Sequence, residues 1–334
     1  MMSRALSYRR FVLVAVAAVG AAGVFAAVST VAARSARHEV ERRPIIILLH
    51  GRGQLGRDTA RVRAEWQNAL ETGIWALTKR PLIDSGDVRL VWYADILDPT
   101  SSAGGCDATA RASRRQRSEP AAENDGDVLQ LLLGVTSTLF TSLYESMPEE
   151  SRYSMRALVG DVLYLGDRWR RCAVDRRLDS ALAHATRESR PVILVAHSFG
   201  SLVAYSYLRS DRPRAQTNAL TIHRFVTLGS MLGIPELQEL LLGRAGPLFP
   251  PPGVRSWVNV RHLRDPFAAS LADSTGRQRT TIREVVTSGN AADPHDIVAY
   301  LRDPAAARAI AWAWCDAFEG TRPPACSDIR RDVP

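Results

Sequence analysis

Residues 192–208 read VILVAHSFGSLVAYSYL. The run opens with β-branched and aliphatic side chains and no polar alternation, which suits a strand covered on both faces. It stops at His197-Ser198-Phe199, and a helical pattern carrying small residues starts at once. Ala196 and Gly200 flank the three central residues, so strand and helix can close tightly around Ser198 and lift its hydroxyl above the sheet edge. This is the pattern of a nucleophile elbow, with Ala196 standing where the first glycine of G-x-S-x-G usually falls. A serine that merely caps the following helix is the competing reading.

Working outward, the same alternation fills most of the chain. Continuous apolar runs at 44–49, 88–96, 191–196, 222–228 and 257–263 read as strands, and periodic segments at 57–78, 170–188, 201–210 and 235–242 read as helices. Such alternation predicts an α/β fold: a mostly parallel central sheet with helices on both faces, built from residues 44–334. Residues 98–169 are too long for an ordinary connection and form an inserted helical segment, including DVLQLLLGVTSTLFTSLYESM at 127–147. That insertion either covers the site as a lid or packs on the core. EPAAENDGD (119–127) and GPLFPPPG (246–253) have the composition of loops, and no internal repeat is present.

With 334 residues, 46% hydrophobic and 23% charged, the chain is long and apolar enough to bury a large core. Its net charge of +8 comes from scattered arginines, Lys79 being the single lysine. No basic stripe with interleaved aromatics is present, so nucleic acid is not an expected partner. Residues 1–10 are a basic leader and 11–33 an uncharged apolar stretch, long enough for a transmembrane anchor. Val31-Ala32-Ala33 also resembles a small-residue cleavage site, so the segment reads as either an anchor or a cleaved signal. Four cysteines, Cys106, Cys172, Cys315 and Cys326, include no C-x-x-C pair. Behind an export-type segment they suggest disulfides, Cys315 with Cys326 across a Gly- and Pro-containing loop and Cys106 with Cys172. The expected location is therefore outside the cytoplasm, membrane-anchored or released.

IILLHGRGQLGRDTARVRAEW (46–66) raises a rival reading, because Gly51, Gly53 and Gly56 fall as G-x-G-x-x-G after a strand. A dinucleotide site needs an acidic residue about 20 positions further on, ending the next strand. The only candidate, Asp95, lies far beyond that distance, past a long helical pattern. The spacing fails, and no cofactor is expected.

The apolar strand ending in His50-Gly51, the elbow at Ser198, an acid after a later strand and a late histidine opening a helix together resemble an α/β-hydrolase of the lipase or esterase type. The resemblance covers essentially everything from Pro44 onward, and its chain order is serine, acid, histidine. It implies a triad of Ser198, Asp265 (in WVNVRHLRDPFA) and His295 (in NAADPHDIVAYL). It further implies an oxyanion hole from the backbone N–H groups of Arg52 and Phe199, supported by His50, Gly51, His197 and Gly200. No metal or organic cofactor is implied, and the expected partner is a small-molecule or lipid ester. Asp293 and Asp296 compete as the acid or as helix caps, and Asp273 sits on a polar stretch. His262 falls within a strand, while His38, His184, His197 and His223 have no evident acid or nucleophile beside them. The stretch FVTLGSMLGIPEL (225–237) resembles the segment after the fourth strand in lipid-acting acyl hydrolases. A peptidase, thioesterase or acyltransferase on the same triad, or a non-catalytic envelope protein, are the alternatives. Oligomeric state is not readable from the residues.

Overall fold

A computed structural model describes residues 43–97, 164, 168–210, 221–234, 237–238, 247–268, 270–271, 282–287 and 292–329. The apolar segment 11–33, His38, Cys106, Asp273 and nearly all of the 98–169 insertion lie outside the described residues. Among the described residues no helix is long and apolar enough to cross a membrane.

The centre of the molecule is a six-stranded sheet in the order β2-β1-β3-β4-β5-β6, with every neighbouring pair parallel. The strands are β1 (Ile45–Leu49), β2 (Val88–Val91), β3 (Val192–His197), β4 (Ile222–Leu228), β5 (Trp257–His262) and β6 (Ile282–Thr287). β1 and β3 are buried along their whole length, as their unbroken apolar sequences require of strands covered on both sides.

Alternate side chains along each strand feed two separate cores. Ile46, Leu48, Ile193, Val195, Val226, Leu228, Val258 and Val260 pack on one face with α1 (Thr59–Thr78), α4 (Ile297–Arg302) and α5 (Pro304–Ala317). Ile45, Ile47, Leu49, Leu194, Ala196, Phe225 and Trp257 pack on the other with α2 (Arg168–Arg187) and α3 (Phe199–Arg209). The period of two in the strands thus produces the three-layer sandwich directly.

Helix boundaries follow local chemistry. Asp58 caps α1 by accepting the Arg61 N–H at 2.7 Å, and Lys79 closes it in a left-handed conformation, its N–H returning to Trp75 O. Asp303 caps α5 by accepting the N–H of Ala305, with Pro304 in the first turn.

Two expectations need correction. The 88–96 run is a strand only through Val91; the chain then leaves the sheet so that Tyr93 can hydrogen-bond His50 and Asp95 can meet Arg177. β6 was not expected at all. It lies at one edge of the sheet and is only partly buried, so IREVVT lacks the apolar continuity of the inner strands.

β1 and β3 are neighbours, yet the chain leaves β1 toward α1 on one face and leaves β3 toward α3 on the other. The carboxyl ends of these two strands therefore open a crevice at the point where strand order reverses. His50, Gly51 and Ser198 all fall there.

Candidate active site

Ser198 occupies the single position between β3 and α3, with φ 52° and ψ −126°. A non-glycine residue pays about 1–3 kcal/mol for such a conformation, so it persists only where the surroundings over-determine it. Here the Ser198 N–H donates to Leu228 O at the end of β4 (3.0 Å), and its carbonyl accepts the Ser201 hydroxyl (2.6 Å). That hydroxyl in turn meets Ser230 Oγ at 2.8 Å. Gly200 packs against β1 so closely that a Cβ there would lie 2.5 Å from His50 O. Gly51 presses on the serine itself, its hypothetical Cβ falling 2.7 Å from Ser198 Cβ.

The structure brings Ser198, His295 and Asp265 together. His295 Nε2 lies 2.8 Å from Ser198 Oγ, and His295 Nδ1 lies 2.9 and 2.8 Å from the two carboxylate oxygens of Asp265. Asp265 follows β5, and His295 precedes α4. The Asp265 side chain is fully enclosed, while the His295 ring keeps 21% of its surface exposed.

Burial alone would raise the Asp265 carboxyl. The hydrogen bond and charge of His295, then the Tyr300 hydroxyl and the Phe267 N–H, outweigh it and hold the group below its ordinary value. Asp265 is therefore a carboxylate at any physiological pH, able to accept the Nδ1 proton and leave Nε2 free to take one from the serine.

The other candidates find different places. Asp296 caps α4 by accepting the Ala299 N–H at 3.1 Å, and Asp293 accepts the His295 N–H at 2.9 Å; neither replaces Asp265. His184 pairs with Glu188, and His223 with Asp316, both away from the serine. The His262 Nδ1 accepts the Arg264 N–H.

His50 and His197 are buried and serve as braces. The Tyr93 N–H donates to His50 Nε2 at 3.0 Å, which leaves the His50 proton on Nδ1, donated to Gly51 O at 2.8 Å. Burial, opposed by that hydrogen bond and by Asp95, pushes His50 down to about 4. His197 Nε2 lies 2.9 Å from His295 O. Burial first, then the nearby His295, pushes it down to about 3. It is neutral, and its Nε2–H donates to that carbonyl, tying the backbone of the candidate base to the elbow. Sequence reading placed His197 at the elbow but missed this bond, since its partner is far along the chain.

Phe199 heads α3, directly after Ser198, where the first backbone N–H groups have no intrahelical acceptor. The Arg52 side chain reaches across the mouth, its Nη2 3.5 Å from Met231 Sδ and its guanidinium over the Phe267 ring. Met231 Sδ is itself 3.8 Å from Ser198 Oγ.

Cys315 and Cys326 form a disulfide, as expected. Cys172 is also disulfide-bonded, and Cys106 lies outside the described residues. Among the described residues no group of His, Cys, Asp or Glu is arranged to hold a metal ion.

No protein-family model matches the chain. No curated protein matches it either. Among solved structures it is similar to an uncharacterized protein from Pseudomonas aeruginosa, with 13% identity and a TM-score of 0.33. That match covers 87% of this chain and 47% of the other, so the chain spans about half the length of its structural neighbour. A likeness at this level carries no argument about activity.

Proposed function

We propose that the protein is a serine hydrolase with an α/β-hydrolase fold. Within that class, its substrates are carboxylic esters, acyl or lipid, cleaved through an acyl-enzyme on Ser198. The observation that carries this reading is the continuous hydrogen-bonded series from Ser198 Oγ through His295 to Asp265. A structural serine has no need of a strained backbone, a partly exposed imidazole and a saturated carboxylate aligned in sequence.

The chemistry follows from what each group can do. Ser198 Oγ attacks the carbonyl carbon while His295 Nε2 takes its proton. The carbonyl π electrons move onto oxygen, and the oxyanion is received by the N–H groups of Phe199 and Arg52, each such donor worth about 3–4 kcal/mol in the transition state. Collapse breaks the C–O bond, and the leaving alkoxide takes the proton from His295. Water then gives a proton to His295 and attacks the acyl-enzyme; the carboxylic acid departs as Ser198 regains its proton. Asp265 stabilises the imidazolium formed in each half.

Fluorophosphonate labelling tests the proposal. The wild type is expected to label at Ser198, and Ser198→Ala to remain unlabelled with ester turnover lowered by about 10⁴-fold or more. A folded wild type that neither labels nor hydrolyses esters would overturn the reading. p-Nitrophenyl esters of increasing chain length then separate an esterase, which favours short acyl groups, from a lipase. The disulfide-bonded cysteines support an oxidising compartment, so we place the domain outside the cytoplasm.

A further inference from the structure

We propose that Tyr300 is a positioning residue of the triad: its hydroxyl fixes how the Asp265 carboxylate faces His295 and limits the negative charge the imidazole receives. The inference rests on the proposed role of the triad, and it is carried by the hydrogen bonds of one buried oxygen. The Tyr300 hydroxyl donates to Asp265 Oδ2 at 2.8 Å and accepts the His262 N–H at 2.8 Å. Because the amide fills an acceptor position and an ionised carboxylate has no proton to offer, the phenolic proton can only point at Asp265. Burial, then the bond to and the charge of Asp265, raise the hydroxyl above its ordinary value, so it keeps that proton.

The geometry gives this bond a purpose beyond packing. His262 ends β5 and Asp265 sits in the turn just after it, so one oxygen staples the turn that carries the acid. Tyr300 stands on α4, the helix that begins directly after His295. Base and staple therefore move with one short element. On the carboxylate, Oδ1 is held by the Phe267 N–H at 2.9 Å and Oδ2 by Tyr300, leaving His295 Nδ1 to approach between them. A phenylalanine would fill the same volume and supply none of this.

Several other charged or titratable groups face the pair. His197 on β3 meets the His295 carbonyl and His50 lies behind it; Asp293 and Asp296 flank His295 in its own turn. Asp303 acts on Tyr300 from the end of α4, and Arg52 reaches over Phe267. None of these donates to the carboxylate in place of Tyr300.

Two variants perturb the bond in opposite senses. Tyr300→Phe removes the donor, leaving more of the Asp265 charge to the imidazolium, which then releases its proton at higher pH. 3-Fluorotyrosine incorporated at position 300 keeps the shape and strengthens the donor. The measurements are the acidic limb of the kcat/KM profile on p-nitrophenyl acetate and the NMR titration of the His295 ring in the same full-length variants. For Tyr300→Phe we expect both midpoints to move up by roughly half a pH unit or more, with kcat about tenfold lower. For the fluorinated protein both midpoints move down. Midpoints that stay at the wild-type value in both proteins, or move the same way, overturn the proposal. Should Tyr300→Phe fail to fold, the direction of the fluorotyrosine shift decides alone. Absence of turnover and labelling in the wild type would instead sink the hydrolase reading, while the His295 titration would still judge Tyr300.

Discussion

Ser198 sits at φ 52°, and the cost of that backbone is separable from its chemistry. Glycine adopts positive φ freely and alanine does not. Ser198→Gly should therefore be more stable than Ser198→Ala by about 1 kcal/mol in urea unfolding, although neither labels with a fluorophosphonate. His50 and His197 give a second prediction. Their folded values, about 4 and about 3, lie below the ordinary 6.5, so between those limits the unfolded chain binds protons that the folded chain refuses. Stability should fall as pH drops below about 6.5, by about 1.4 kcal/mol per unit for each histidine, and level off below the folded values. Asp265, held low, adds to the loss only below its ordinary 3.8. Urea midpoints at pH 7, 6 and 5 measure the slope, and a flat profile would contradict the buried neutral assignments. At this scale the sequence was most readable where chemistry is local. The elbow serine, the Asp-Pro after β5 and the histidine before a periodic helix are visible in short windows, whereas Tyr300 and the role of His197 depend on partners that only folding brings near.

Elements were legible in proportion to their burial. β1 and β3, fully enclosed, left continuous apolar runs, and β4 a run interrupted by His223 and Arg224; β6, only partly buried at the sheet edge, left none. The end of β2 was invisible for a different reason. Trp92 and Tyr93 look like strand residues, but tertiary bonds to His50 and Arg177 draw the chain out of the sheet. The contact between α3 and β1 supplies the test at this scale. Gly200→Ala would force a methyl against two carbonyl groups at the end of β1 and just after it, Leu49 O at 3.0 Å and His50 O at 2.5 Å. Backbone atoms cannot swing aside, so α3 must shift. We expect a loss of about 1–3 kcal/mol in stability and a marked drop in Ser198 labelling, because the elbow moves with the helix. Unchanged labelling in a folded Gly200→Ala protein would show that α3 tolerates the displacement.

At the scale of the whole molecule, the alternation of apolar runs and helical patterns implied a parallel sheet in a helix sandwich, and that is the observed layering. The order of the strands was not readable, since it depends on which face each crossover takes. That order matters, because the reversal between β1 and β3 is what opens the crevice holding Ser198. The opposite end of the sheet is closed differently. Asp316 meets His223 at the start of β4, the Trp314 indole donates to Pro44 O, and the Cys315–Cys326 disulfide lies beside them. Removing that disulfide alone, with Cys315→Ala and Cys326→Ala, should lower stability by about 2–4 kcal/mol while leaving the labelling rate of Ser198 below the transition unchanged. A matching fall in labelling would mean that the two ends communicate.

Residue 43 is pinned at this closed end, Arg43 gripping Asp84 and Asp87 while Arg190 holds Asp87 from the other side. β1 then carries the chain about 17 Å to the crevice. Whatever precedes Arg43 thus joins the domain at the pole remote from Ser198. Grafted to a bead through that pole, the protein would turn its mouth toward the surrounding fluid and leave Ser198 open to a fluorophosphonate; fastened beside the exposed Phe267 or Leu263, it would be smothered.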